Sequence, residues 1–108
     1  MSIQKIEAAL SQLESPLTIK IELPTRRVNI TPTLYMLVDK INVADVIKLR
    51  NEAEGLPLLI KTRCNLVVDG EKWVLSCLDD LTLKAQMILT RLASSFLEAE
   101  LEGIADFM

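Results

Sequence analysis

The chain has 108 residues, half of them apolar, with a mean hydropathy of +0.30 and a formal net charge of −3. This length suits a single domain with one modest core. The sequence contains no histidine, which removes the commonest general base at neutral pH and a frequent metal ligand. Because a small core cannot bury so much apolar material, we expect part of it to form a subunit interface or a partner-binding groove.

The first 23 residues predict a helix followed by a strand. Over residues 2–14 the apolar side chains recur at helical spacing, at Ile3, Ile6, Leu10 and Leu13. Pro16 ends this pattern, since proline disfavours the helical conformation of the residue before it. Residues 17–23 then alternate apolar and polar side chains, which is typical of a half-buried strand.

The middle of the chain predicts a short extended piece at residues 28–30 and then two helices. Thr31-Pro32 is typical of a helix start, so we expect a helix over residues 31–41, although Tyr35 to Val38 would also suit a strand. Asn42 is the predicted N-cap of the next helix, with Asp45 in its first turn. Gly55 is its expected stop, and its expected apolar side holds Val43, Val46, Ile47 and Leu49.

Residues 57–77 predict a β-hairpin whose turn is Asp69-Gly70. In this register Val68 faces Glu71, Leu66 faces Trp73, Cys64 faces Leu75 and Thr62 faces Cys77. The two cysteines then lie diagonally, about 7–8 Å apart, which is too far for a disulfide. We expect both thiols and the tryptophan in the core. Two thiols alone cannot complete a zinc site, so no metal is expected.

The C-terminal residues predict a long helix that opens at Leu78-Asp79-Asp80, with an aspartate as its cap. Its apolar side is wider than one packing contact requires, so we expect the helix to touch two surfaces. The predicted protein interface consists of Leu92, Phe96, Leu97, Leu101, Ile104 and Phe107. Residues 98–108 are either the last turns of this helix or a protruding acidic and apolar tail that docks on a partner.

Together these elements predict one α+β domain over residues 1–108, with a small antiparallel sheet packed by helices that include the long C-terminal one. Their order also resembles that of winged-helix domains. In that alternative residues 43–54 form the recognition helix, and nucleic acid is contacted by Lys48, Arg50, Asn51 and Lys72. Residues 17–72 hold nine basic and seven acidic side chains, an excess of two. Such a weak charge disfavours nucleic acid as the partner.

The sequence favours a small non-enzymatic protein–protein interaction module, working as a homodimer in the role of adaptor, inhibitor or assembly chaperone. Neither a phosphate-binding loop nor a dinucleotide fingerprint is present, so no cofactor or small-molecule substrate is expected. A carboxylate-dependent enzyme that uses Asp79 and Asp80 is a third hypothesis, but helix capping explains that pair better. Without a signal-peptide pattern or about 20 consecutive apolar residues, we expect a cytoplasmic protein that does not enter a membrane.

Overall fold

The computed structural model describes residues 2–14 and 17–105, and within them the side chains of residues 3–14 and 17–102. Four helices and a five-stranded sheet make up this part of the chain, which confirms the predicted α+β class. In chain order the elements are α1 (Ser2–Ser11), β1 (Lys20–Glu22), β2 (Arg27–Thr31), β3 (Leu34–Val38), α2 (Val43–Asn51), α3 (Gly55–Arg63), β4 (Cys64–Val68), β5 (Glu71–Val74), a 3₁₀ turn (Leu78–Asp80) and α4 (Leu83–Ala105).

The sheet is an antiparallel meander in which each strand pairs with the next one along the chain, in the order β1-β2-β3-β4-β5. Helices α2 and α3 form the connection between β3 and β4. The Asp69-Gly70 turn is confirmed: both residues have positive φ, 50° and 86°, as the hairpin turn with the matching twist requires. The predicted pairs Val68–Glu71 and Leu66–Trp73 are also confirmed.

One face of the sheet packs against α1 and α4 to form the core. The side chains with no more than 1% of their surface exposed come mainly from these elements, namely Ile6, Leu10, Val28, Met36, Leu66, Leu89, Leu92 and Phe96, and are joined by Ile60 of α3 and Leu75 after β5. Strand β3 shows the alternation that this arrangement imposes, with Leu34, Met36 and Val38 buried and the residues between them half-buried. On the other face the Arg27 guanidinium stacks 3.7 Å from the centre of the Tyr35 ring.

The predicted helix over residues 31–41 is wrong, because residues 34–38 form β3 in the middle of the sheet. The sequence Leu-Tyr-Met-Leu-Val satisfies both patterns, and pairing with β2 and β4 on either side decides between them. A strand therefore stands where the winged-helix alternative placed the first of its two consecutive helices. The predicted recognition helix at residues 43–54 is α2, which is the first helix of the pair and not the second. This assignment of residues to winged-helix elements is wrong.

The predicted strand from residue 57 is also wrong up to Arg63, since α3 spans Gly55–Arg63. Pro57 lies in its first turn, where no intrahelical N–H donor is needed. Leu56, Leu59 and Ile60 recur at helical spacing, and the last two are buried. Gly55 therefore begins α3, and Thr62, which lies in this helix, cannot face Cys77 across a hairpin.

Three smaller predictions also need correction. Only Lys20–Glu22 of the strand predicted at residues 17–23 pairs with a neighbour. Strand β5 ends at Val74, opposite Asn65, so the predicted pair between Cys64 and Leu75 is not formed. Cys64 pairs on its other side with Val38 of β3. The α2 helix buries none of its residues, and Val43 and Ile47 are 75% and 52% exposed.

The starts of α2 and α4 differ in how closely they follow the local sequence. Asn42 caps α2 as predicted: its side-chain oxygen accepts a hydrogen bond from the Asp45 N–H at 2.9 Å, and the Asp45 carboxylate accepts one from the Asn42 N–H at 3.0 Å. The aspartates Asp79 and Asp80 lie in the 3₁₀ turn, and α4 begins only at Leu83.

Over residues 2–14 and 17–105, no helix combines the length and apolar character that a bilayer crossing would need.

Candidate protein-binding surface

Helix α4 carries apolar side chains on two opposite sides. The side against the core holds Ala85, Leu89, Leu92, Ala93 and Phe96, all of which are buried. On the opposite side, positions four and three residues apart follow one line, and we call these six residues the outer line of α4: Leu83, Met87, Thr90, Ser94, Leu97 and Leu101. This average spacing of about 3.6 residues matches one helical turn and keeps the line of side chains on one helix face.

The outer line is apolar at both ends and polar in the middle. Leu83 and Met87 at the start are 73% and 63% exposed, and Leu101 near the end is 49% exposed. Thr90 and Ser94 in the middle are half-buried. Exposed hydrophobic side chains that cluster on one helix face are a mark of a binding surface, whereas isolated ones are ordinary.

A groove of about 440 Å³ runs beside the start of the outer line. Its apolar walls come from two residues that follow α1 in the chain and from the first turns of α4, namely Leu13, Leu17, Leu83, Met87 and Ile88. Glu14, Lys84 and Arg91 line its rim, which therefore carries one more positive than negative charge. The volume is within the range of small binding pockets.

Helix α1, which precedes one wall of the groove, is hydrogen-bonded to the start of α4. The Glu7 carboxylate accepts hydrogen bonds from the backbone N–H of Thr82 and from its hydroxyl, the latter at 2.9 Å. The Thr82 hydroxyl in turn accepts a hydrogen bond from the Ala85 N–H at 3.3 Å. A carboxylate at a helix N-terminus is also favoured by the helix dipole.

The other end of α4 is held by Arg26 in the β1–β2 turn. Its guanidinium donates hydrogen bonds to the Glu100 carboxylate at 2.9 Å and to the backbone carbonyls of Val38 and Asp39 at 2.8 and 2.9 Å. It also lies 5.2 Å from the centre of the Phe96 ring. The outer line of α4 is thus presented by a helix that is anchored at both ends.

The structure places the predicted interface residues in three different situations. Leu92 and Phe96 have no exposed surface, so they belong to the chain's own core and cannot touch a partner while the fold is intact. Leu97 is half-buried and Leu101 exposed, and both lie on the outer line of α4. The side chain of Ile104 and the whole of Phe107 lie outside the described residues.

Sequence reasoning missed Leu83 and Met87, the two most exposed residues of the outer line. The broad apolar side predicted for this helix merged two stripes, and the residues at its start were left out. The signal that separates the two stripes is their offset along the helix. The outer stripe runs through Leu83, Met87, Leu97 and Leu101, and the core stripe runs through Ala85, Leu89, Leu92 and Phe96.

The residues predicted for the nucleic-acid alternative do not form one surface. Lys48, Arg50 and Asn51 lie on α2, which follows β3 after Val38. Lys72 pairs with Val67 beside the Asp69-Gly70 turn, at the opposite end of the neighbouring strands. The expected basic surface is therefore divided between two ends of the sheet.

The cysteines are both free thiols, with Cys64 buried and Cys77 half-buried. Burial raises the pKa of the Cys64 thiol to about 12, with a further contribution from the Asp39 carboxylate. A thiol that stays protonated at neutral pH is a poor nucleophile and a poor metal ligand.

Trp73 is half-buried and packs against the core as predicted. Among residues 2–14 and 17–105, no three cysteine, aspartate or glutamate side chains are arranged as metal ligands would be.

Comparison with known proteins finds no matching family model, no matching curated protein and no matching solved structure.

Proposed function

We propose that the protein is a non-enzymatic protein–protein interaction module that works as a homodimer, in the role of a cytoplasmic adaptor, inhibitor or assembly chaperone. The observation that carries this proposal is the outer line of α4 together with the groove beside it. Leu83 and Met87 leave most of their surface in water, although the same helix buries five other apolar side chains in the core.

Energetics support an association through this surface. Full burial of one leucine or methionine side chain contributes about 1.5–3 kcal/mol relative to exposure. A partner that covers Leu83, Met87 and Leu101 therefore gains several such contributions at once, before the cost of association. The anchoring of α4 at Thr82 and at Glu100 also limits the ordering entropy that binding would otherwise cost.

The charges around the groove indicate what kind of segment binds there. Lys84 and Arg91 at the rim favour a segment that combines apolar and acidic side chains. The C-terminal half of α4 has this composition, with Leu97 and Leu101 next to Glu98 and Glu102. A second copy of the chain therefore supplies a suitable partner segment.

The mass of the protein in solution, measured by size-exclusion chromatography with light scattering, tests this proposal. We expect twice the 12.1 kDa of one chain at micromolar concentration. The substitution Met87→Glu adds a charge to the outer line of α4 without touching the core, and it should convert the dimer to a monomer, because it places a carboxylate among apolar side chains, where the loss of its hydration costs several kcal/mol.

The matched control is Val43→Glu, which changes an apolar side chain of α2 that is 75% exposed, against 63% for Met87. This variant should keep the dimer mass. A wild-type protein that stays monomeric at the highest soluble concentration would contradict the homodimer. If the dimer persists in Met87→Glu but is lost in Val43→Glu, the dimer interface lies on α2 and not on α4.

A further inference from the structure

We infer that two copies pair antiparallel along the outer line of α4, about a two-fold axis that passes beside residue 92. This inference rests on the proposed function and specifies its partner, a second copy of the chain, and the way the copies meet. It goes beyond the existence of a dimer, because parallel pairing or another surface would also give one.

The outer line of α4 is symmetric about residue 92. Leu83 and Leu101 lie nine residues on either side of it, Met87 and Leu97 five, and Thr90 and Ser94 two. When two such helices run antiparallel, each apolar end covers the apolar end of the other copy. The small polar residues meet in the middle, where they allow the helices to approach closely. The paired length from residue 83 to residue 101 is about 27 Å at 1.5 Å per residue.

Apolar contacts alone would allow parallel pairing as well, since identical residues would then face each other. The charged residues beside the line distinguish the two arrangements. Lys84, Arg91 and Glu98 recur every seven residues and therefore flank the same side of the outer line. Antiparallel pairing keeps this flank of both copies on the same side of the helix pair and places Lys84 near Glu98 of the second copy, twice per dimer. Parallel pairing puts the two flanks on opposite sides of the helix pair, so it makes no Lys84–Glu98 contact.

Within one chain, Lys84 and Glu98 remain available for this contact. Both are exposed, and among the described side chains the Lys84 ammonium makes one long hydrogen bond, of 3.5 Å, to the Ser11 carbonyl. The Arg91 side chains of the two copies approach each other at the axis. Because Arg91 is exposed, its long side chain can turn its charge toward solvent and lower this repulsion.

The groove fits the same arrangement. Leu13 and Leu17 stand beside Leu83 and Met87, so the partner helix meets a concave surface and not a bare helix. In the antiparallel register, Leu97 and Leu101 of the second copy lie over this concavity. Their acidic neighbours then face the basic rim formed by Lys84 and Arg91.

Charge reversal at Lys84 and Glu98 tests the register, with the dimer dissociation constant measured by sedimentation equilibrium at low ionic strength. Lys84→Glu and Glu98→Lys each convert two attractive contacts into repulsive ones, so each should weaken the dimer on the order of tenfold. The double variant Lys84→Glu/Glu98→Lys restores the attraction with reversed signs. It should return to within about twofold of the wild-type dissociation constant.

Arg50→Glu and Glu52→Lys reverse the charges of exposed residues near α2 and serve as matched controls that should leave the dimer unchanged. Single variants that dimerise as well as the wild type would overturn the antiparallel register while leaving the homodimer in place. If the double variant does not restore the dimer affinity that the single variants lose, the antiparallel register is overturned too. A wild-type monomer would remove the proposed function itself, so the two failures are distinguishable.

Discussion

Arg26 links the sheet to the end of α4 through its hydrogen bonds. It has a positive φ of 55°, and this turn conformation aims its guanidinium at three acceptors on β3, on the residue after it and on α4. The side chain is mostly buried, with 27% of its surface exposed. Its hydrogen bonds therefore contribute more than those of a surface arginine would.

Replacing Arg26 by alanine should lower the free energy of unfolding by about 2–3 kcal/mol, because Glu100 and two carbonyl groups lose a charged donor. Urea denaturation at one fixed protein concentration measures the change. Arg50→Ala removes an exposed arginine of α2 and should stay within about 0.5 kcal/mol of the wild type. Equal effects of the two substitutions would show that the Arg26 contacts do not stabilise the fold.

Residues with purely local roles could be predicted from the sequence, and residues with distant partners could not. Asn42 caps α2 through Asp45 only three residues away, and Asp69-Gly70 forms its turn from its own backbone preference. By contrast, Glu7 reaches Thr82 across 75 positions of the chain, and Arg26 reaches Glu100 across 74. Nothing in the sequence around Glu7 or Arg26 indicates which partner the fold brings to it.

Among the elements, β3 and α3 show where periodicity alone is insufficient. Leu34–Val38 and the apolar run that begins at Leu56 each satisfy a helical and an extended pattern. The sheet decides the first, because β3 has paired strands on both sides. Packing of Leu59 and Ile60 into the interior decides the second. The candidate surface was predicted only in its second half, at Leu97 and Leu101, because two stripes on one helix were counted as one.

The α2–α3 pair depends on close backbone contact at Gly55. A β-carbon at this position would lie 2.6 Å from the Lys48 carbonyl oxygen and 2.8 Å from the Leu49 α-carbon. Since both atoms belong to the backbone, Gly55→Ala forces the two helices apart and should cost about 1–3 kcal/mol of stability. Backbone amide NMR shifts should change throughout α2 and α3.

Gly70→Ala provides the comparison, because no atom lies within 4 Å of the added carbon and only the positive φ of 86° is strained. It should cost about 1 kcal/mol, with amide shifts confined to the β4–β5 turn. If Gly55→Ala leaves the amide shifts of α2 unchanged, the close contact between the two helices does not exist in solution.

At the scale of the whole molecule, α4 joins the core to the candidate interface. Its inner side completes the core with Leu89, Leu92 and Phe96, and its outer line is available for a second copy. Any association through the outer line therefore stabilises the helix on which the core depends. Folding and dimerisation become linked equilibria, in which the folded state gains stability as the concentration of protein rises.

This linkage predicts that the melting temperature of the wild-type protein rises with its concentration. For about a hundredfold increase, mass action adds roughly 2.7 kcal/mol of stability per dimer, or about 1.4 kcal/mol per chain, which corresponds to a shift of several degrees for a domain of this size. Circular dichroism melts at two concentrations, in cells of different path length, measure it. Met87→Glu should melt at the same temperature at both concentrations, because its folded form is a monomer, while Val43→Glu should behave like the wild type. A wild-type melting temperature that does not depend on concentration would contradict the link between α4 packing and dimerisation.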